Sequence, residues 1–409
     1  MQDAALAFDA APAARNADVA NAAPANLRMS LHDGMAAIEA RWREFERVAD
    51  CTPFQTFDWL AAWQRHIGQR EQMRPVIALA SFSDGSIAFM LPLALDCKRA
   101  VRRLCWLGQD LNDYNAPLLA RDFSQRVGRD DFLAAWRGLR TLMQRDPALR
   151  HDWIELEKMP QTVGAQLNPF FNLALATNPS GAHFARLYGD WPQFYAAKRS
   201  SATRRRDRTK RKHLSGFGDI SVISSTESDD ARRTLEILMS QKSRLFAHKG
   251  IPDMFERPGW REFFLDVAAN PATRQLVHVS RVQIGATCAA ANLGIVFGDA
   301  YYHMLASHDD GELSRFGPGA LHLRELLAYA IGLGLRRFDF TIGDESYKLE
   351  WSDTHLDLGD YVAPATWRGW PNCCRSMLRR PTKRFIKQTP MLWRTVSWLR
   401  SCWAFRICN

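Results

Sequence analysis

A polar loop in the last third of the sequence ends in a Gly-Pro-Gly segment and leads into an apolar stretch. Gly317-Pro318-Gly319 closes the loop, and the residues that follow predict a helix over 319–332. The first backbone N–H groups of a helix have no intrahelical partner, and the helix dipole favours negative charge beside them. Pro318 lacks an N–H but is tolerated where a helix begins. The segment is therefore a candidate cradle for a pyrophosphate, although a tight turn before a core helix would use the same residues.

Titratable side chains that could do acid–base chemistry lie on both sides of this helix in the sequence: His303, Asp339, Asp344, Tyr347 and Lys348. His303 is on a predicted strand before the loop, and its ordinary pKa suits a general base. The other four belong to a second predicted strand and to the polar segment after it. Each type of residue also has a simpler explanation, as a satisfied core histidine, a capping aspartate or a solvated lysine.

The elements that must position these residues occur twice in the chain. Both halves show predicted helices, a β-hairpin, a strand, a helix and a strand, with helices that include 31–49 and the very basic 191–214. We therefore expect two related α/β (α+β) domains, each a mixed central sheet flanked by helices. The predicted organisation is a disordered leader (1–27), an N-terminal domain (28–180), a C-terminal domain (181–366) and a basic aromatic tail (367–409).

Several segments taken together resemble a known family. They are 52–60, 108–117, 199–214, the helix start at 317–319 and the stretch 339–348. This set resembles the GNAT-like acyltransferases linked to cellulose biosynthesis, the CelD type, which are related to the Fem-type aminoacyltransferases of peptidoglycan assembly. The resemblance spans residues 41 to 364 and implies tandem GNAT-like domains.

The resemblance also implies an acyl-CoA donor, such as acetyl-CoA, lying over a splayed parallel strand pair in the C-terminal half. GNAT folds bind the donor pyrophosphate with a Gln/Arg-x-x-Gly-x-Gly/Ala loop. Gly317 and Gly319 match its glycines, whereas Ser314 stands at the Gln/Arg position, with Arg315 one residue later. The donor contacts implied are Ser314, Arg315, Phe316, Gly317, Gly319 and Ala320. No metal is expected.

Acyl transfer to an amine or hydroxyl needs a base for the nucleophile, help for the departing thiolate and stabilisation of an oxyanion. Under this resemblance we expect Asp344 and Lys348 to be the foremost catalytic residues, with Lys348 at the oxyanion. Tyr347 could donate to the thiolate, Asp339 flanks the strand end, and His303 is an alternative base. The acceptor would be a sugar, a polysaccharide precursor or a related amine, in exopolysaccharide, cellulose or envelope biosynthesis.

Two other functions remain open at this stage. Ser314 is compatible with a non-catalytic module that binds a nucleotide-sugar or a synthase partner at the membrane. The basic run 199–213 could serve aminoacyl transfer from charged tRNA, because clustered Lys and Arg attract phosphates. No zinc, RNA-binding or helix-turn-helix motif accompanies that run, so a solvated helix face or an acceptor surface is favoured over a nucleic-acid interface.

Composition and charge limit the partners and the cellular location that we expect for the protein. The formal net charge of +10 suits an anionic partner, and the 8 Cys lack zinc-site spacing and are expected to be reduced. The N-terminal residues do not resemble a secretory signal, and no stretch has the ~18 uninterrupted apolar residues of a membrane span, so we expect a cytoplasmic protein.

The tail 367–409 mixes aromatic and basic residues, which predicts either peripheral contact with an anionic membrane or packing on the domains. The oligomeric state is left open.

Overall fold

The computed structural model describes residues 27–173 and 175–388. The strands of the first half are β1 (Leu27–Asp33), β2 (Met73–Phe82), β3 (Ile87–Asp96), β4 (Arg103–Trp106), β5 (Leu118–Leu119), β6 (Trp153–Met159), β7 (Thr162–Val163), β8 (Gln166–Leu167) and β9 (Ala176–Thr177). Its α-helices are α1 (Glu39–Glu46), α2 (Phe57–Trp63), α3 (Phe123–Arg126) and α4 (Arg129–Arg145).

The second half has a similar mixture of elements. Its strands are β10 (Ala182–Arg186), β11 (Ile220–Ser224), β12 (Val277–Ile284), β13 (Thr287–Phe297), β14 (Ala300–His308), β15 (Arg337–Ile342), β16 (Thr354–Leu356) and β17 (Gly359–Pro364). Its α-helices are α5 (Trp191–Lys198), α6 (Ser201–Ser215), α7 (Ser228–His248), α8 (Trp260–Ala269), α9 (Pro271–Arg274), α10 (Pro318–Gly332), α11 (Ser346–Trp351) and α12 (Trp370–Gln388).

Two large open sheets organise these elements. One has the order β1-β2-β3-β4-β6-β17-β9, with β5 paired to β3, and the other has the order β11-β12-β13-β14-β15-β10-β16. Most strand pairs are antiparallel, but each sheet has one parallel pair, β4 with β6 and β14 with β15. The predicted α/β class, with two mixed sheets flanked by helices, is confirmed.

Strand β3 shows why its sequence is apolar at consecutive positions rather than at alternate ones. Phe89, Leu91 and Leu93 pack in one hydrophobic cluster, while Met90 and Ala94 pack in another on the opposite face. A strand that is covered on both faces buries every side chain, so it reads as a continuous apolar run. The first sheet therefore has a hydrophobic core on each of its two faces.

The parallel pair of the second sheet separates towards its C-terminal end. The register runs only from Ala300 opposite Arg337 to Tyr302 opposite Asp339, although β14 continues to His308. Beyond this register the backbone pairing of the two strands ends, and the Thr341 hydroxyl donates to the carbonyl of His303 at 3.4 Å. The parallel pairing is therefore confined to the first three residues of each strand.

Two predicted helices differ from the structure. The helix predicted over 31–49 is wrong at its N-terminal end, because β1 pairs with β2 along its whole length and satisfies the backbone there. The helix predicted over 191–214 is two helices, because Ser200 has extended backbone and its side chain accepts from the N–H of Thr203, which starts α6 as a new helix. In both places a local backbone requirement overrides the apolar spacing.

β17 and α12, the last elements that the structure describes, belong to the first sheet and its surface. β17 lies in the predicted C-terminal domain (181–366), yet it pairs antiparallel with β6 and covers an edge that would otherwise be open. α12, in the predicted tail, packs against β17 and β6 and buries Cys373. The predicted leader falls outside the described residues except for Leu27, which begins β1.

The two sheets share one hydrophobic core rather than touching through a polar surface. Trp59 of the first half meets Phe263 of the second edge to face, with ring centroids 5.0 Å apart. Phe54 contacts Tyr302 in the same way at 6.1 Å. All of these side chains are buried. This apolar contact aligns the loop that follows β4 with the end of β15, which is where the candidate site lies.

Candidate active site

A buried hydrogen bond joins the two halves of the chain at the base of the candidate site. The Tyr114 hydroxyl donates to Asp339 Oδ1 at 2.7 Å, and the same oxygen accepts from the backbone N–H of Thr341 at 2.8 Å. Asp339 is only 1% exposed, and burial raises the pKa of its carboxyl. Thr341 has φ of +59°, an unusual conformation for a β-branched residue. Asp339 therefore holds the strained end of β15 against the first half of the chain.

Replacing Tyr114 with phenylalanine tests this link. We expect the free energy of unfolding to fall by about 1–3 kcal/mol, because a buried carboxyl loses one of its two donors and the ring is otherwise retained. Urea titration measures the change. Tyr188→Phe is the matched control, since Tyr188 is half exposed and should leave the midpoint unaltered. Equal midpoints for both variants would show that the bond does not join the halves.

The turn between β15 and α11 surrounds the amine of Lys348. Lys348 Nζ donates to the carbonyl of Ile342 at 2.8 Å and lies 3.1 Å from Glu345 Oε2. The residue is 3% exposed. A Cβ at Gly343 would lie 2.7 Å from Nζ, and the φ of Gly343 is +139°, so glycine is needed for the turn to close over the amine. An ammonium has three N–H donors, and only these two acceptors meet it among the residues that the structure describes, so the third can serve a ligand.

Asp113, which sequence reasoning did not nominate, belongs to the same site. It lies in the loop after β4 and is partly buried. Burial raises the pKa of its carboxyl, and the charges of Lys158 and Lys348 act against that rise. Its only sequence signal was a polar loop, 110–117, inside a segment that carried the family resemblance. A carboxyl with a raised pKa beside a buried lysine is a candidate general base.

A second lysine and His303 complete the buried polar cluster. Lys242 of α7 donates to the carbonyl of Ala306 at 3.3 Å, and burial lowers the pKa of its amine. Burial, with the charges of Lys348, His322 and Lys242, lowers the pKa of His303 to about 3. His303 is therefore neutral near pH 7 and weakly basic, which does not suit a general base.

Tyr347 is partly buried, whereas Asp344 is exposed to solvent. Tyr347 packs edge to face on His303 and Phe340, and burial raises the pKa of its phenol, so the hydroxyl keeps its proton near pH 7. Asp344 is exposed on the turn that carries Lys348. The structure thus brings His303, Tyr347 and Lys348 together and places Asp344 at their solvent side, whereas Asp339 lies beneath them.

The Gly-Pro-Gly segment begins α10, and the first turn of this helix reaches the protein surface. Gly317 has φ of +65° and precedes Pro318, the first residue of the helix. The N–H groups of Gly319 and Ala320 meet no backbone acceptor among residues 27–173 and 175–388, and Ala320 is exposed. The helix terminus is accessible to an anion. His308, the last residue of β14, lies beside Gly319, so β14 runs from the buried cluster to this terminus.

The basic helix α6 packs against the same terminus. A Cβ at Gly317 would lie 3.8 Å from Lys210 Nζ, which puts the amine next to the first turn of α10. His213 stacks on Phe316, with ring centroids 5.1 Å apart, and Arg211 pairs with Glu325 at 2.7 Å. Phe316, one of the predicted donor contacts, therefore packs against His213 of α6. Ser314 and Arg315 lie in the turn Glu312–Phe316 that precedes the helix.

Two cavities adjoin the buried residues. The larger, about 1060 Å³, is lined by both halves, including Asp110, Lys158, Arg257 and Ile342. Ile342 provides the carbonyl that accepts from Lys348, so this cavity reaches the Lys348 turn. The smaller, about 440 Å³, is lined by Asp339 and lies against Tyr114, Tyr302 and Arg337. The larger cavity thus meets the site at Ile342 and the smaller one at Asp339.

Comparison with known proteins identifies the fold around this site. The family model described as acetyltransferase (GNAT) domain matches residues 201–349. The second half has a GNAT fold. No curated protein matches the chain in a sequence search.

Solved structures extend the likeness to both halves. A conserved protein of unknown function from Bacteroides thetaiotaomicron VPI-5482 is 13% identical, with a TM-score of 0.50 over 82% of this chain and 98% of that chain. FemX is 10% identical, with a TM-score of 0.55 over 80% of this chain and 96% of that chain. At such identities the likeness concerns the fold. The GNAT part of the predicted resemblance is confirmed, and the narrower CelD-type assignment stays a prediction.

The matched residues 201–349 include α10 and the β14–β15 pair, the elements at which the sequence analysis predicted the donor. The GNAT fold supports an acyl-transfer activity. The individual roles of Asp339, Asp344, Tyr347, Lys348 and His303, and of the donor contacts 314–320, remain predictions. No helix among the described residues is long and apolar enough to cross a membrane.

Proposed function

We propose that the protein transfers an acyl group from an acyl-CoA thioester to an amine or hydroxyl of an acceptor in the larger cavity. The observation that carries this proposal is the buried amine of Lys348, which the turn holds between the Ile342 carbonyl and Glu345, and Ile342 lines that cavity. A buried donor held by a rigid turn stabilises developing negative charge without reorganising. The neighbouring Asp113 adds a base.

The reaction follows from these positions. Asp113 takes the proton of the acceptor nucleophile, which attacks the carbonyl carbon of the thioester. The carbonyl oxygen becomes an oxyanion and accepts from Lys348. The C–S bond then breaks, and the Tyr347 phenol protonates the leaving thiolate before recovering a proton from Asp113 through solvent. Asp344, which sequence reasoning preferred as a catalytic residue, is the alternative base from the solvent side.

The phosphates of the donor would occupy the start of α10. The N–H groups of Gly319 and Ala320 point out of the first turn, and Lys210 of α6 supplies a cation beside Gly317. Backbone donors, a helix dipole and a lysine are together suited to a pyrophosphate. This arrangement uses Lys210 where the usual GNAT loop has Gln or Arg and this chain has Ser314.

Acetyl-CoA is expected to raise the melting temperature of the protein, and Lys210→Glu is expected to weaken its binding about tenfold, because a charge next to the phosphates is reversed. A thermal-shift titration with acetyl-CoA and longer acyl-CoA thioesters measures both. Lys212→Glu is the matched control on the same helix, since Lys212 is exposed and its side chain has no acidic partner among the described residues. If no thioester stabilises the protein, the non-catalytic alternative replaces this proposal.

An aminoacyl-tRNA is the second candidate donor, because α6 presents a row of exposed cations beside the donor terminus. Arg205, Arg208 and Lys212 are exposed and have no acidic partner among the described side chains. A polyanion would engage several of them at once, so both Lys210→Glu and Lys212→Glu would weaken tRNA binding, and salt would abolish it. Acyl-CoA binding instead predicts an effect of Lys210 alone.

The charges around the larger cavity indicate the class of acceptor. Arg99, Arg375 and Arg379 line it without an acidic partner among the described residues. Its other cations include Lys98, paired with Glu71, and Arg103, paired with Asp96 and Glu155. We therefore propose an acceptor that carries negative charge, such as a phosphorylated or acidic saccharide or amine. The three unpaired arginines would bind the anionic group and leave the nucleophile to approach Lys348.

A further inference from the structure

Helix α12 is attached to the first sheet by one side only. On that side Cys373 and Arg380 are buried, and the Arg380 guanidinium contacts Glu155 at 3.1 Å, Glu157 at 2.6 Å and Asp360 at 2.7 Å. Removing one partner of such a buried network leaves an uncompensated charge, so the helix is held in one orientation. Its other two sides therefore have defined directions.

A second side of α12 lines the larger cavity. The residues that do so are Asn372, Arg375, Ser376, Arg379, Arg380 and Lys383. Their spacing of three and four residues puts them on one face of the helix. Arg375 and Arg379 are exposed at the cavity border as well as lining it.

The third side of α12 is apolar and faces solvent. It consists of Trp370, Cys374, Met377, Leu378, Pro381 and Phe385, which we call the outer stripe. These positions also recur at three- and four-residue spacing, away from the buried side. Trp370 is 59% exposed, Met377 50%, Leu378 71% and Phe385 64%, and the preceding Trp367 is 81% exposed.

Such a surface is unlike the scattered exposed apolar residues of the rest of the molecule. Single exposed side chains need no partner, but a contiguous row of large ones indicates a contact surface. Arg375 and Arg379 lie on the adjacent face, and neither has an acidic partner among the described residues. The surface therefore combines apolar side chains with cations that would attract negative charge.

We infer that the outer stripe docks on an anionic lipid bilayer. Aromatic and aliphatic side chains on one face, next to a basic face, are the arrangement by which a helix lies in the headgroup region. The cations select an anionic surface over a neutral one. The sequence after the described residues keeps the same composition, with Trp393, Trp398 and Trp403 interleaved with Arg394, Arg400 and Arg406.

The cavity residues centre on the side of α12 away from the outer stripe, with Arg375 on the flank between them. If the proposed function holds, an anionic acceptor would meet Arg375 and Arg379 at the exposed border of the cavity. Docking itself depends only on the outer stripe and its cations.

Co-sedimentation of the full-length chain with vesicles tests the inference. Vesicles of phosphatidylcholine with about a third phosphatidylglycerol are compared with phosphatidylcholine alone, because each exposed cation adds attraction only to an anionic surface. We expect binding to the anionic vesicles alone, weakened at least about tenfold in the double variant Leu378→Glu and Phe385→Glu, since two inserted side chains are lost. Arg375→Glu with Arg379→Glu should lower anionic binding while the stripe remains.

The matched control is Val48→Glu with Leu333→Glu, which places the same charges at exposed apolar residues elsewhere and should bind as the unmodified protein does. The acetyl-CoA thermal shift should be unchanged in the Leu378 and Phe385 variant, so docking and donor binding can fail independently. Equal binding to both vesicle types, or undiminished binding of that variant, overturns the inference. Absent vesicle binding, with a dimer in light scattering that the variant dissociates, would instead assign the stripe to a second copy of the chain.

Discussion

Lys348→Met is expected to lower kcat about 100- to 1000-fold, the loss typical of removing one oxyanion donor. The acceptor and the thioester should bind nearly as before, because the third N–H of Lys348 is used only when charge develops on the carbonyl oxygen. Release of free CoA thiol, followed at several concentrations of thioester and acceptor, separates kcat from KM. The principal effect should be on kcat.

Methionine is chosen because it retains most of the side-chain volume of a residue that is only 3% exposed. It leaves the Ile342 carbonyl without the Lys348 donor, so the melting temperature is measured alongside activity. Lys198→Met is the matched control, since Lys198 is likewise paired with a carboxylate, that of Asp353, outside the cavity. A folded Lys348→Met protein with unaltered kcat would remove Lys348 from the chemistry.

Asp113→Asn is expected to lower kcat/KM about 100- to 10000-fold, the range associated with loss of a general base. The ionised carboxylate is the active form, so the rate of the unmodified protein rises with pH as Asp113 loses its proton. Burial raises the pKa of Asp113, which moves this rise above the ordinary carboxyl range. In the asparagine variant the rise should disappear, and kcat/KM measured across pH shows whether it does.

Asp344→Asn discriminates between the two candidate bases. Asp344 is exposed, so its removal should lower the rate only slightly and leave the pH dependence in place. Asp219→Asn serves as the control for the loss of an exposed carboxylate on the far side of the second sheet. Should the pH-dependent rise vanish in Asp344→Asn and persist in Asp113→Asn, the base is the residue that the sequence favoured.

The electrostatic environment explains why neutral, similarly sized substitutions are needed in these tests. Lys348, Lys242, Asp113 and Glu345 influence one another's charge within the same cluster. Reversing one charge would leave its neighbours without compensation in a site partly shielded from water, and would confound catalysis with folding. Methionine and asparagine remove one function each and keep the remaining packing.

The amino-acid sequence was sufficient for those parts of the protein whose signal is local. Gly317-Pro318-Gly319 at a helix start could be read directly, because unpaired N–H groups follow from the helix itself. The α/β class followed from periodicity, and Lys348 from the polar segment after a strand. The predicted helix over 191–214 failed where Ser200 starts a new helix, since a cap depends on one backbone conformation rather than on apolar spacing.

Only the tertiary structure decided which distant residues share the site. Tyr114 and Asp339 are 225 positions apart, and the bond between them brings Asp113 within electrostatic reach of Lys348. Apolar periodicity states which face of an element is buried but not which partner buries it, so neither Asp113 nor the return of β17 and α12 to the first sheet was predictable. The sequence thus determined the class of fold and the helix start at Gly317-Pro318-Gly319, and it nominated Lys348 without predicting its burial. The common core of the two sheets decided the cluster and its cavities, because packing joins residues that are far apart along the chain.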